Sequence, residues 1–246
     1  MTETDRTTAS STTSALPTLL AEDVLVLLFD PESGTIRSEG SPLLHTLAGA
    51  ALTELALDGA VTVDEHGSGL RGRLVHAVEG REPADPLLAP IWQRLADKPT
   101  DLRSLVLEIG PGLRAPMIDR VVERGVLRRE ARKTFGFIPT TALVDGGTGR
   151  RDELLTLVRP VLLDDQPPTP RSGALAALLS ASGALPALHA DLPWSGALYT
   201  RGQELQRGDW GAAATGEAVA ASAAAVAASV LSNTLFVSVV LPSLRD

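Results

Sequence analysis

No Asp, Glu, Lys or Arg occurs between Glu217 and Arg245, and the stretch 218–241 is long enough to cross a bilayer if helical. A helix that is apolar all round has two places to go, a membrane or the middle of a large bundle. Its first half, AVAASAAAVAASV, is Ala, Val and Ser, which gain little from lipid, and Ser232, Asn233 and Thr234 interrupt it before the apolar 236–241. The run is therefore predicted to be a core helix within 211–240, with a membrane span as the alternative. A core helix of that length implies a bundle around it.

The chain can supply such a core. It has 246 residues, 44% of them hydrophobic, and a mean hydropathy of +0.12. With no internal linker, 16–246 is expected to be one domain. Residues 1–15 are Thr/Ser-rich, carry Glu3 and Asp5 and lack an apolar signal-peptide centre, so they are expected to be a disordered arm. The absence of cysteine excludes disulfides, thiolate metal sites and cysteine nucleophiles and fits a reducing compartment. Abundant alanine, with Lys98 and Lys133 the only lysines, matches coding from a GC-rich bacterial genome.

Helical signals recur along the chain. Segment 19–29 (LLAEDVLVLLF) reads as helix or buried strand. Segment 41–58 opens with Ser41 as N-cap and Pro42, keeps helical spacing through Leu44, Leu47, Leu52 and Leu55, and stops at Gly59. Further helices are predicted over 85–96, 101–109, 113–124, 151–163, 174–181 and 197–206. Strand signals are confined to two β-hairpins, 60–64 with 73–78 and 126–129 with 134–138. The fold class is mainly α, a helical bundle with peripheral amphipathic helices. No βαβ alternation offers a parallel-sheet ligand site.

Enzyme signatures are weak. Gly67, Gly69 and Gly72 match G-x-G-x-x-G after a strand, but a strand-like segment follows where a dinucleotide site needs a helix N-terminus, so a hairpin loop is expected. His45, His66, His76 and His189 are scattered, without metal-ligand spacing. The acidic pairs Glu22/Asp23 and Asp164/Asp165 sit at helix ends or turns, where solvated or capping carboxylates are common. No nucleophile elbow or Walker motif occurs. No catalytic residue, metal or cofactor is expected.

A formal charge of −8 leaves phosphate contact to a local patch. Residues 114–133 supply one: Arg114, Arg120, Arg124, Arg128, Arg129, Arg132 and Lys133 stand against Asp119, Glu123 and Glu130. Guanidinium forks bind phosphate oxygens in pairs. Phe135, Phe137 and Ile138 follow at the hairpin, and cations beside an apolar protrusion suit an anionic bilayer surface. The alternative is that the phenylalanines pack inward and the arginines form a solvated face.

Four segments in order resemble the Golgi-phosphoprotein family: LPTLLAEDVLVLLFDPESG, LAGAALTELALDGAVTV, LRAPMIDRVVERGVLRRE and ALAALLSASGAL, spanning about 16–185. The resemblance implies a mostly helical domain, binding of phosphatidylinositol 4-phosphate at membranes, and a hairpin used for oligomerisation or membrane contact. In the eukaryotic members a tryptophan and three arginines form the headgroup pocket. The matching positions here fall near Glu39 and on Ala48, Pro111 and Arg114, so only Arg114 is kept.

The reading is a non-enzymatic, peripheral membrane-binding protein, cytoplasmic and at the inner membrane face. Arg114, Arg120, Arg124, Arg128 and Arg129 are the candidate headgroup residues. Arg132, Lys133, Phe135, Phe137 and Ile138 form the candidate membrane-contact or oligomerisation hairpin. Its expected partner is an anionic phospholipid or phosphoinositide surface, with a homo-oligomer as a further option and no nucleic acid. The alternatives are a winged-helix-like DNA-binding protein, from the helix and hairpin of 117–137, and a scaffold self-associating through the 126–138 hairpin.

Overall fold

The structure, a computed structural model, describes residues 16–64, 72–134, 138–208 and 218–229. Residues 1–15, the glycine-rich 65–71, residues 135–137 with Phe135 and Phe137, residues 209–217 and those after 229 lie outside the described residues.

Helix α2 (Ser41–Leu57) runs through the centre. From Thr46 to Ala56 every residue is buried. Such a helix needs partners on all sides, and α1 (Leu20–Leu28), α4 (Leu102–Glu123), α6 (Pro170–Ala181) and α8 (Ala218–Ser229) supply them. Helix α2 is rich in small residues, among them Ala48, Gly49, Ala51 and Ala56, and it packs against an equally small-residue α8. Ala223, Ala224, Val226 and Ala227 of α8 are buried there. That stretch of the uncharged run is thus a core helix. Among the described residues no helix is long and apolar enough to cross a membrane. The buried hydroxyls of α2 donate to its own backbone, Thr46 to the Pro42 carbonyl (2.8 Å) and Thr53 to the Gly49 carbonyl (2.7 Å).

Helices α5 (Arg150–Leu163) and α7 (Gly196–Gln206) pack on α6, and α3 (Ala89–Asp97) covers a small sheet. Trp92 fastens α3 by donating its indole N–H to the Ala60 carbonyl (3.0 Å). The fold is mainly α, with three small antiparallel sheets: β1 (Phe29–Asp30) with β2 (Thr35–Ile36); β3 (Val61–Val63), β4 (Leu74–Ala77) and β5 (Thr100–Asp101); β6 (Leu127–Thr134) with β7 (Ile138–Asp145). Segment 19–29 resolves into α1 followed by β1. The glycine-rich loop joins two antiparallel strands, β3 and β4, rather than a strand and a helix.

Several boundaries differ from the sequence expectation. Ser41 is the first helical residue, and Gly40 is the cap at φ +90, a conformation that a side chain opposes. Helix α3 begins at Ala89 because Asp85 and Pro86 form a turn first, with Leu87 N–H donating to the Asp85 carboxylate (2.9 Å).

The segments 101–109 and 113–124 are one helix, α4, continuous through Pro111 and Pro116. Each proline deletes a backbone bond, at a cost of about 3 kcal/mol in a helix interior. Leu105 and Val106 on one side of the interruption and Leu113, Met117 and Val121 on the other bury in the same core, which offsets that loss. Pro111 and Leu107 are exposed, so the carbonyl left without a donor faces water. The intervening Gly110 lets the helix touch α2. A Cβ there would lie 2.9 Å from the Leu44 carbonyl oxygen.

The second hairpin is longer than expected and its turn is displaced. Strand β6 runs eight residues to Thr134, which pairs with Ile138, the first residue of β7. The second strand, expected over 134–138, instead begins at Ile138, and Pro139 pairs with Lys133 inside the ladder. A proline is tolerated there because a two-stranded ribbon has only edge strands. The hairpin leaves the body at a backbone clamp. Gly146 N–H donates to the Val126 carbonyl (2.8 Å), and a Cβ on Gly146 would lie 1.7 Å from the Gly125 oxygen.

Gly110→Ala isolates the packing constraint on α4. Alanine favours a helix interior by about 1 kcal/mol, but the contact with α2 backbone cannot relax by a rotamer change. The expected result is a net loss of roughly 1–2 kcal/mol by urea unfolding, whereas Gly112→Ala, with open space around it, should stabilise.

Candidate functional site

The basic segment divides into an inward and an outward set. Two of its arginines turn into the protein. Arg120 Nη1 donates to both carboxylate oxygens of Asp85 (2.8 and 2.7 Å), and its Nη2 lies 3.0 Å from Glu22 Oε1. Arg124 Nε lies 2.7 Å from Glu22 Oε2, and its Nη2 donates to the Leu16 carbonyl (2.9 Å).

These contacts belong to a larger node at the N-terminus of α1. Glu22 and Asp23 are 1% and 0% exposed, so they are buried acids rather than solvated ones. Asp23 receives Arg150 on one oxygen (2.7 Å) and Arg171 on the other (2.8 Å). Arg171 also pairs with Glu54 of α2 (3.0 Å) and donates to the Thr18 carbonyl (2.7 Å). Glu54 accepts the N–H of Leu20, and Glu22 accepts that of Leu19 (3.2 Å), so both carboxylates cap α1 where its dipole favours negative charge. Glu22, Asp23, Glu54 and Asp85 face Arg120, Arg124, Arg150 and Arg171. The node joins five helices and the turn before α3. Burial pushes the Glu54 carboxyl above its ordinary 4.5, with Asp58 adding repulsion, although Arg171 and the Leu20 N–H pull the other way.

The outward set lies on α4 and the hairpin. Arg128, Arg129 and Glu130 are exposed on β6. Arg128 makes only a long bond to the Asp145 carbonyl (3.4 Å), and Arg129 pairs with Asp119 (2.5 Å). Arg132 and Lys133 continue the strand opposite Thr140 and Pro139, and Ile138 opens its partner. Arg114 lies two turns before Arg120 on α4 and pairs with Glu39 through Nε (2.6 Å).

Arg114 and Arg129 meet at an open groove of about 620 Å³. The β1–β2 turn provides one wall through Gly34, Thr35 and Ile36, and Glu39 stands beside it. Arg114 and Ile118 of α4 form the floor, and Arg129, Thr141 and Leu143 of the hairpin form the opposite wall. The register explains the last wall. Arg129 pairs with Leu143 and Ala131 with Thr141, so these side chains share a face of the ribbon. Leu143 N–H also reaches the Gly34 carbonyl (3.4 Å), which holds the hairpin near the turn.

A family model for Golgi phosphoprotein 3 (GPP34) matches residues 20–222. The chain belongs to the Golgi phosphoprotein 3 family. No curated protein matches it. Of the positions singled out in the sequence by the resemblance, Glu39 and Arg114 meet in the groove, Pro111 is exposed one turn earlier on α4, and Ala48 is fully buried in α2. Thr141 and Leu143 of the groove went unnoticed in the sequence, because they enter it only through the register of β7.

Two measurements test the node. Asp23→Ala leaves Arg150 and Arg171 short of a shared buried counter-charge and should cost about 3–5 kcal/mol in urea unfolding, whereas Arg128→Ala should change stability by less than about 0.5 kcal/mol. Glu54 tests the pH linkage. Because its folded carboxyl holds the proton more tightly than the unfolded one, its contribution to stability is greatest below the unfolded value and falls as pH rises from about 4.5 through the folded value. Unfolding midpoints of the wild type relative to Glu54→Gln should therefore decline with pH across that window and then level.

Proposed function

We propose that this protein is a peripheral membrane-binding module, not an enzyme, which presents the groove and the β6–β7 hairpin to lipid headgroups. The observation that carries the reading is the outward cationic strand, with Arg128 and Arg129 exposed beside the groove that contains Arg114. Family membership supports it, since lipid binding is plausible for a Golgi phosphoprotein 3 relative. Arg120 and Arg124 act from behind. They hold α4 against α1 and so fix the base of the hairpin, while Arg114, Arg128 and Arg129 meet the surface, with Arg132 and Lys133 further along the strand. The engagement of the buried carboxylates by arginines supports reading them as structural.

The winged-helix alternative loses two of the three arginines it needed from 113–124. Arg120 and Arg124 point at buried acids. A recognition helix needs such side chains free to reach base edges. Self-association through the hairpin is compatible with membrane binding and is read out in the same preparation by light scattering.

Co-sedimentation with vesicles tests the proposal. Anionic phosphatidylglycerol vesicles should bind the protein more tightly than phosphatidylcholine alone, and less so as salt rises. Arg128→Glu with Arg132→Glu, both away from the buried node, should weaken that binding by roughly thirty-fold or more, from about 1 kcal/mol for each lost cation. Equal binding to both vesicle types, or none, overturns it.

A further inference from the structure

The groove does not have the charge of a polyanion site. Glu39 stands in contact with Arg114, and Asp119 holds Arg129 from just outside, so two carboxylates balance two guanidinium groups. A ligand of one sign entering here separates a pair and leaves one member facing nothing. A ligand carrying both signs can exchange with the pair, offering an anion to the arginine and a cation to the carboxylate. Arg114 and Glu39 are each about half exposed, so neither needs to be unburied for that exchange.

The chemistry of the cation is restricted as well. Quaternary ammonium groups, which have no N–H to donate, are held on the faces of aromatic rings. Among the described residues, none lining the groove is aromatic. What the groove offers a cation is the Glu39 carboxylate, an acceptor that rewards a primary ammonium with charge-assisted hydrogen bonds. Thr35 and Thr141 add hydroxyls that can donate to phosphate oxygens or accept from the ammonium, and Ile36, Ile118 and Leu143 supply apolar surface.

From this arrangement we infer that the groove binds a phosphoethanolamine group, with the phosphodiester on Arg114 and Arg129 and the primary ammonium on Glu39. The inference rests on the membrane-binding reading for its lipid source, but its chemistry is the same for a soluble phosphodiester. It makes the protein a reader of zwitterionic headgroups at the groove, while the hairpin cations respond to the anionic background. The ligand's two charges stand only a few bonds apart, and Glu39 and Arg114 are adjacent, so one small headgroup can reach both.

Vesicles of phosphatidylcholine, of phosphatidylcholine with an equal share of phosphatidylethanolamine, and of phosphatidylcholine with phosphatidylglycerol separate the readings, together with soluble glycerophosphoethanolamine and glycerophosphocholine in calorimetry. The wild type should bind the phosphatidylethanolamine mixture about tenfold more tightly than phosphatidylcholine alone, and should bind glycerophosphoethanolamine saturably but not glycerophosphocholine. Glu39→Gln, at an exposed position outside the buried node, should keep the wild-type unfolding midpoint and lose both preferences, while binding to phosphatidylglycerol should tighten because Arg114 is released from its carboxylate partner. Equal affinity for the ethanolamine and choline forms, or a preference that survives Glu39→Gln, overturns the inference. Binding to phosphatidylglycerol vesicles without either ethanolamine response removes the inference and leaves the membrane reading. Binding of soluble glycerophosphoethanolamine with no vesicle binding at all does the reverse.

Discussion

The ion node at the N-terminus of α1 is the interaction on which the rest of the arrangement depends. A helix start has N–H groups without partners and a partial positive charge. Here Glu22 and Glu54 meet those groups, and each carboxylate added to the interior then requires a cation. Arg120 and Arg124 come from α4, Arg150 from the start of α5 and Arg171 from the start of α6. Apolar packing alone constrains how helices slide less tightly than bidentate pairs do. The node therefore sets the relative positions of α1, α2, α4, α5 and α6, and the backbone of Leu16, Pro17 and Thr18 is tied down with them.

The hairpin and the groove beside it are positioned by the same device. Arg124 ends α4 and the hairpin begins three residues later, so holding Arg120 and Arg124 inward determines where β6 emerges. The close contact of Gly125 and Gly146 then narrows the directions the ribbon can take. As a result Arg128 and Arg129 face outward while their neighbours in sequence are buried in pairs. One basic segment thus serves two purposes, separated by the geometry of a single helix end. Across the groove, the contact of Glu39 with Arg114 converts what could have been a cationic pocket into one of balanced charge.

Much of the architecture was legible from local chemistry. The predominance of helix, the central segment ended by Gly59, the core role of the early uncharged run and the two principal hairpins follow from periodicity, turn residues and the poor gain of alanine in lipid. The misses have local causes. Proline within 101–124 signals a helix end unless packing on both flanks outweighs two lost hydrogen bonds, and packing is not visible in the order of residues. Pro139 signals a strand end unless the ribbon has no neighbour to receive an N–H. Glu22 and Asp23 read as solvated or capping carboxylates, and Glu22 does cap α1; their burial was not legible because their four arginine partners lie far away along the chain, the nearest, Arg120, nearly a hundred residues on.

By itself the sequence determined the fold class, the family and the location of the basic segment, since these depend on side-chain period, segment order and local charge density. Tertiary structure alone decided which of Arg114, Arg120, Arg124, Arg128 and Arg129 are available to a ligand. A guanidinium group has the same charge wherever it stands, and its free energy is set by whether a buried carboxylate or water is within reach. That choice, made at Glu22, Asp85 and Glu39, separates the arginines that hold the fold from those that border the groove.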